Sequence, residues 1–207
     1  MQKINFNDRY GLTDAVIEGR KIMTRRVVPW DLTERWMEFV SDAPSVGGVY
    51  VHESEKDFYE REAPRYKVGE VVAVAQRYST IAAGHPDVDT FLLQVAKAHK
   101  ISIESVQDLA GWDNKMFSKA ELMPHRIRIT GIRCELLRDI SDACCLKEGI
   151  RYAPKINKFY FEDVCREESF YFDNHREAFA SLIDRVSGKG MWERNPWVIV
   201  YEFELVK

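Results

Sequence analysis

The chain has 207 residues, 45% of them hydrophobic and 30% charged, with a formal net charge of −3. That length supports one substantial core, and the slight acidic balance excludes a protein that coats duplex DNA by neutralising many phosphates. No apolar run reaches the roughly 18 residues of a membrane-spanning helix, so no membrane partner is expected.

Lys3–Phe6 reads as a short strand, and Asn7 as the cap of a helix that runs through Asp14, Ala15, Val16 and Ile17 to Gly19. Then comes Gly19-Arg20-Lys21-Ile22-Met23-Thr24-Arg25-Arg26, which sets four cations and a hydroxyl together with no acid among them. Such a run on an acidic protein is suited to an anion or an electron-rich group. From Pro29 to Pro64 the chain reads as irregular, with a pair of helical turns around Thr33–Phe39 and loop at Pro44 and Gly47-Gly48. Tyr66–Glu70 reads as a turn into a buried strand, Val71–Ala75.

Asp87–Lys100 carries Val88, Phe91, Leu92, Val95 and Ala96 at helical spacing, and Ser102–Leu109 continues as a second short helix. Arg126–Leu137 is a long strand whose apolar residues change parity between Ile129 and Ile132. A bulge near Thr130-Gly131 reconciles them and bends the sheet. Asp139 or Ser141 caps a helix that stops at Gly149. The aromatic stretch 150–172 includes a hairpin, with its rings forming a satellite core beneath a loop. An amphipathic helix follows at Arg176–Val186, and then an alternating strand at Trp197–Val206. This order of strands and helices predicts an α+β fold in one domain, 1–207, with insertions at about 30–64 and 79–120.

Other chemistry is poorly supported. The four cysteines, Cys134, Cys144, Cys145 and Cys165, show no CxxC spacing, and the adjacent pair suits neither zinc nor an ordinary disulfide. Met1–Phe6 lacks an apolar signal core, and the expected compartment is the reducing cytoplasm. Cys144 or Cys145 near a helix start is a weak nucleophile candidate. The histidines His52, His85, His99, His125 and His175 are scattered, so no metal and no cofactor are expected. Trp192 and Trp197 flank Asn195-Pro196; either stacks on a nucleobase or fills the core, and the alternation from Trp197 favours core.

Several blocks in order resemble the ASCH domain, a branch of the PUA-like β-barrels. They are Gly19-Arg20-Lys21 with Thr24-Arg25-Arg26, Lys67-Val68-Gly69-Glu70-Val71-Val72, and Met123-Pro124 before the long strand. Ile140-Ser141 through Glu148-Gly149-Ile150 and Asn195-Pro196-Trp197-Val198 complete the set. Their spacing looks most like the ASCH-like proteins of bacteriophages and prophages. The resemblance implies a PUA-like β-barrel with peripheral helices and a helical insertion at 79–120. It also implies an RNA or modified-nucleoside partner. One bacterial member similar in these blocks removes acetyl from 4-acetylcytidine, and its working positions correspond here to Lys21, Thr24 and Glu148. Phage-type relatives often carry Arg-Glu where this chain has Ala75 and Gln76, so a charged contact there is missing.

In that reading Lys21 takes the proton of Thr24, Thr24 attacks the amide carbonyl, and Glu148 passes protons to the departing amine. Lys21 can act as a base only if burial and the like charges of Arg20, Arg25 and Arg26 lower its pKa from roughly 10.4. Arg20, Arg25, Arg26 and Trp197 are the candidate substrate or RNA contacts. The competing readings are a phosphate-gripping loop on a non-catalytic RNA-binding module, and a barrel turned to a protein partner through residues 79–120.

Overall fold

Apolar patterning builds the molecule around a five-stranded sheet. The computed structural model describes residues 1–42, 45–46, 49–50 and 54–206. The N-terminal part holds β1 (Lys3–Ile4), α1 (Leu12–Ile17) and β2 (Met23–Val27). Next come α2 (Trp30–Asp42), the small antiparallel pair β3 (Ser45–Val46) and β4 (Val49–Tyr50), α3 (Glu55–Glu62) and β5 (Val71–Val74). Helices α4 (Tyr78–Gly84), α5 (Val88–His99) and α6 (Ala110–Asp113) follow, interspersed with short 3-10 turns, before the long β6 (Arg126–Leu136). The C-terminal part comprises α7 (Asp142–Lys147), β7 (Arg151–Ala153), β8 (Lys158–Asp163), β9 (Glu168–Phe172), α8 (His175–Ser187), α9 (Met191–Arg194) and β10 (Trp197–Val206).

The main sheet has the order β1-β5-β6-β10-β2, and β7, β8 and β9 form a second, antiparallel sheet. The protein is thus α+β, with an open five-stranded sheet and a three-stranded one among the described residues. Strand β10 lies inside the main sheet, and Val198–Tyr201 are buried on both faces. The predicted bulge is present. Glu202 faces Gly131 while Phe203 faces Ile129, so Thr130 is the extra residue that switches β6 between its two apolar parities.

Several local expectations change. The first helix is capped at Gly11, in the left-handed region at φ 61°, and not at Asn7. Residues 30–42 and 55–62 are regular helices, longer than the turns expected. Leu32, Phe58 and Tyr59 send apolar side chains into the main core from them, although the segment's prolines and glycines signal loop. The expected loop at Gly47-Gly48 lies outside the described residues. Only Val106–Asp108 of the expected 102–109 helix is helical, as a single 3-10 turn.

The helix before the site is capped by Ser141, whose side chain accepts from the Cys144 N–H. The expected hairpin within 150–172 is present as β8 and β9, but its rings join the main core instead of a satellite beneath a loop. Phe161 is 2% exposed in the main core, with Phe170 and Phe172 stacked on it at centroid distances of 5.3 and 5.8 Å. Residues 78–123 do build a core of their own, in which Tyr78, Phe91, Val95, Val106 and Met123 meet against Ala73 of β5.

Candidate functional site

Three chain segments meet where β2 leaves α1. Gly19, at φ 73°, ends α1 in the left-handed turn that closes many helices. The Lys21 N–H then returns to the Ala15 carbonyl at 2.8 Å. The Ile22 N–H donates to the Lys147 carbonyl at 3.0 Å, and the Ile22 carbonyl accepts from the Phe203 N–H at 3.0 Å. This approach to β2 is therefore held from α1, from the end of α7 and from β10. It also resolves the geometric question raised by the three-residue spacing. Lys21 sits before the strand and Thr24 within it, and both side chains reach the same hollow.

That hollow has a volume of about 250 Å³. Lys21, Thr24, Arg25, Arg26 and Glu148 form its polar side. Phe6, Leu12 and the α8 residues Phe179, Leu182, Ile183 and Val186 form an apolar wall. Lys21, Thr24 and Glu148 keep only 2%, 5% and 4% of their surface exposed. The Lys21 ammonium donates to the Glu148 carboxylate Oε2 at 2.5 Å and to the Glu148 backbone carbonyl at 2.8 Å. Two of its three donors are thereby used. Gly149, next in the chain at φ 107°, has to be glycine for a second reason. A Cβ there would crowd Leu12 Cδ2 at 3.1 Å, with the Lys21 stem in ordinary contact at 3.7 Å.

Glu148 is the first link in a line of alternating charges. Its Oε1 accepts from Arg25 Nη1 at 2.8 Å, and Arg25 Nη2 reaches Glu135 Oε1 at 2.6 Å. Glu135 Oε2 then accepts from Arg133 Nε at 2.9 Å, and Arg133 pairs outward with Glu202. Burial lowers the Lys21 pKa, and the like charges of Arg26 and Arg25 push the same way, against the pull of Glu148. Burial also acts to lower Arg25, but Glu148 and Glu135 outweigh it and leave its pKa raised. Cys145, behind this network, is pushed up to about 12 by burial, which leaves its thiol protonated and a poor nucleophile.

The structure brings together Lys21, Thr24, Glu148, Arg25 and Arg26, and separates the other two candidates from them. Arg20 pairs with Glu18 at 2.6 Å and borders a different hollow, beside Arg151 and Glu162. Trp197 stands edge-on to Tyr59, with centroids 6.1 Å apart, on an apolar cavity of about 390 Å³ that Trp30 and Pro196 also line. Of the neighbouring cations, Arg25 is committed to two carboxylates, whereas Arg26 is exposed and donates to the Asn5 carbonyl. Gln76 is buried and hydrogen-bonded to His125 at 2.9 Å.

No protein-family model, curated protein or solved structure matches this chain. Among the described residues no group of three His, Cys, Asp or Glu side chains could hold a metal ion, and no helix is long and apolar enough to cross a membrane.

Sequence reasoning missed Glu135, Arg133 and the α8 wall. Glu135 was within reach of it. The bulge fixes the parity of β6 beyond Gly131, and β10 lies between Arg25 and Glu135, with Val200 opposite Arg25 and Val198 opposite Glu135. The wall from Phe179 and Leu182 carried no local signal, because an apolar helix face reads identically whether it covers a core or a cavity.

Proposed function

We propose that this protein is an amidohydrolase that removes a small acyl group from a modified nucleoside such as 4-acetylcytidine, with Lys21, Thr24 and Glu148 as its working groups. The ASCH resemblance supplies the substrate class, and the open sheet bent at Thr130 is read as part of a PUA-like barrel. One observation carries the chemistry. A fully buried lysine whose pKa is lowered lies 2.5 Å from a carboxylate, on a hollow that Thr24 also lines. Perturbed titratable groups gathered in a cavity are a mark of catalytic sites. At about 250 Å³ the hollow falls below the roughly 300–1,000 Å³ of pockets for drug-sized ligands, which suits one base and its acyl group.

In the first half-reaction neutral Lys21 accepts the Thr24 hydroxyl proton as Oγ1 bonds to the acyl carbon. Arg26, the cation not held by carboxylates, stabilises the tetrahedral oxyanion. The C–N bond then breaks, and the proton held between Lys21 and Glu148 goes to the leaving amine. Water, deprotonated by the same lysine, cleaves the acyl-threonine ester and restores the hydroxyl. Arg25 and Glu135 hold the Glu148 carboxylate in place, which makes them positioning residues. The four free cysteines accord with work in the cytoplasm.

Acetate release from 4-acetylcytidine tests the proposal. Wild type should turn the nucleoside over, Thr24→Ala should abolish turnover while keeping the wild-type melting temperature, and Thr24→Ser should retain part of it. An intact wild-type protein that binds the nucleoside or RNA without releasing acetate would leave the non-catalytic binding module as the correct reading.

A further inference from the structure

A second hollow, of about 260 Å³, adjoins the first, and Arg26 and Val27 line both. Arg65, Tyr66 and Tyr201 complete its polar side. The two arginines differ from those of the charge line. Arg26 donates to the Asn5 carbonyl and lies 5.9 Å from the Phe6 ring centroid. Arg65 makes one long hydrogen bond, 3.4 Å, from Nε to the Gln2 side-chain oxygen, and lies 5.7 Å from the Tyr66 centroid. Among the described residues neither has an ion-pair partner, while Arg25 and Arg133 have two carboxylates each.

We infer that Arg26 and Arg65 form a subsite for a phosphate group, so that the ligand is a phosphorylated nucleoside whose base enters the Lys21 cavity and whose phosphate lies in the neighbouring one. This rests on the reading of the Lys21 cavity as a nucleoside site. Two like charges facing one hollow without acids are a cost that an anion removes. Protein atoms crowded around Arg26, although the residue as a whole is exposed, are the main cause holding its pKa below the ordinary arginine value, and the charge of Arg65 adds to it. A guanidinium presents parallel N–H groups that match phosphate oxygens, which is why arginine is favoured for phosphate recognition. Tyr201 adds a donor. Its hydroxyl oxygen accepts from the Arg65 backbone N–H at 2.8 Å, and its own proton remains available to a phosphate oxygen. Ile199 and the Tyr66 ring give this hollow an apolar floor beside the two arginines. The shared lining at Arg26 makes base and phosphate recognition continuous.

Titration calorimetry with cytidine, cytidine 5′-monophosphate and a short single-stranded RNA tests the inference on wild type, Arg65→Gln and Arg65→Lys. Arg65 is exposed, so its loss spares the core, and a melting curve verifies this. In wild type a phosphate should tighten binding by about tenfold or more, the range of charge-assisted hydrogen bonds. Arg65→Gln should bring the ratio of phosphorylated to unphosphorylated affinity close to one, and Arg65→Lys should keep part of it. If the monophosphate shows the Arg65-dependent gain, the phosphate belongs to a mononucleotide; if only the RNA shows it, the phosphate is an internucleotide linkage. Equal affinity for all three ligands, absence of binding by any of them, or a phosphate preference unaffected by Arg65→Gln overturns the subsite. Acetate release separates this from the hydrolase reading. Turnover without a phosphate preference refutes the subsite alone, and a phosphate preference without turnover refutes the hydrolase alone.

Discussion

Replacing Glu148 by Gln is the sharpest probe of how the cavity is held together. The substitution keeps the shape of the side chain and removes the charge that two buried cations share, at 2.5 Å from Lys21 Nζ and 2.8 Å from Arg25 Nη1. Arg25 keeps Glu135 at 2.6 Å, so the burden falls on Lys21, whose side chain is 2% exposed. Breaking a buried pair by removing one partner costs about 3–5 kcal/mol. The lysine has one escape, which is to lose its proton. Near neutral pH that costs about 4–5 kcal/mol from a reference pKa of roughly 10.4, so it offers little relief. At about pH 10 it costs only about 0.5 kcal/mol by the same conversion, and the penalty should largely vanish. Urea denaturation of wild type, Glu148→Gln, Lys21→Met and the double variant at both pH values measures this. Near neutral pH the single Glu148→Gln should lose about 3–5 kcal/mol, and the cycle should show a coupling of about 2 kcal/mol or more between the two residues. A loss under about 1 kcal/mol, independent of pH, is what a solvated surface pair gives and would refute a sealed, charge-dependent Lys21.

Two further outcomes follow from the same structure. Because Lys21 must be neutral to take a proton and its pKa is lowered by burial, acetate release should rise with pH through an inflection below the ordinary lysine range and then level off. In stability the sign is that of a lowered base: the cost of burying Lys21 is present in full at low pH and is relieved as pH rises toward the unfolded-state pKa. A profile that falls across that range would contradict a lysine base, as would one inflecting at the reference value. Away from the site, Gly111→Ala would set a Cβ 2.8 Å from Tyr78 Cε2, on a ring whose hydroxyl is held by His99 and Lys119. Overpacking there should cost about 1–3 kcal/mol in denaturant titration and leave acetate release by the folded protein unchanged.

Where pattern and burial coincide, the sequence was readable. Strand β10 has the predicted bounds, since alternation in a strand is set by which faces are covered. The bulge at Thr130 was visible as a parity change between Ile129 and Ile132. Of the helix over 30–42 only the turns around Thr33–Phe39 were visible, because Pro29 and Pro44 frame a segment whose order comes from Leu32 and Trp36 packing against the core. At the site, Lys21 and Thr24 were legible as a motif, but their meeting with Glu148 was not. No local rule sends the residue after α7 back to the residues after α1. The separation of Arg20 and Trp197 from the cavity has the same origin. Neighbours along the chain diverge when one lies before a strand and another within it, or when they line different sides of one sheet.

Among the described residues strand β2, which carries Thr24 and Arg25, joins the main sheet only through β10, with Thr24 opposite Tyr201. Residues almost a whole chain length apart must therefore find each other before the hollow exists, a slow, non-local step in folding. During synthesis the early half of the motif would wait, its basic run uncompensated, until the last strand arrives. A fragment that lacks that strand should hold Lys21 as an ordinary solvated amine, so the chemistry comes into being only with completion of the sheet.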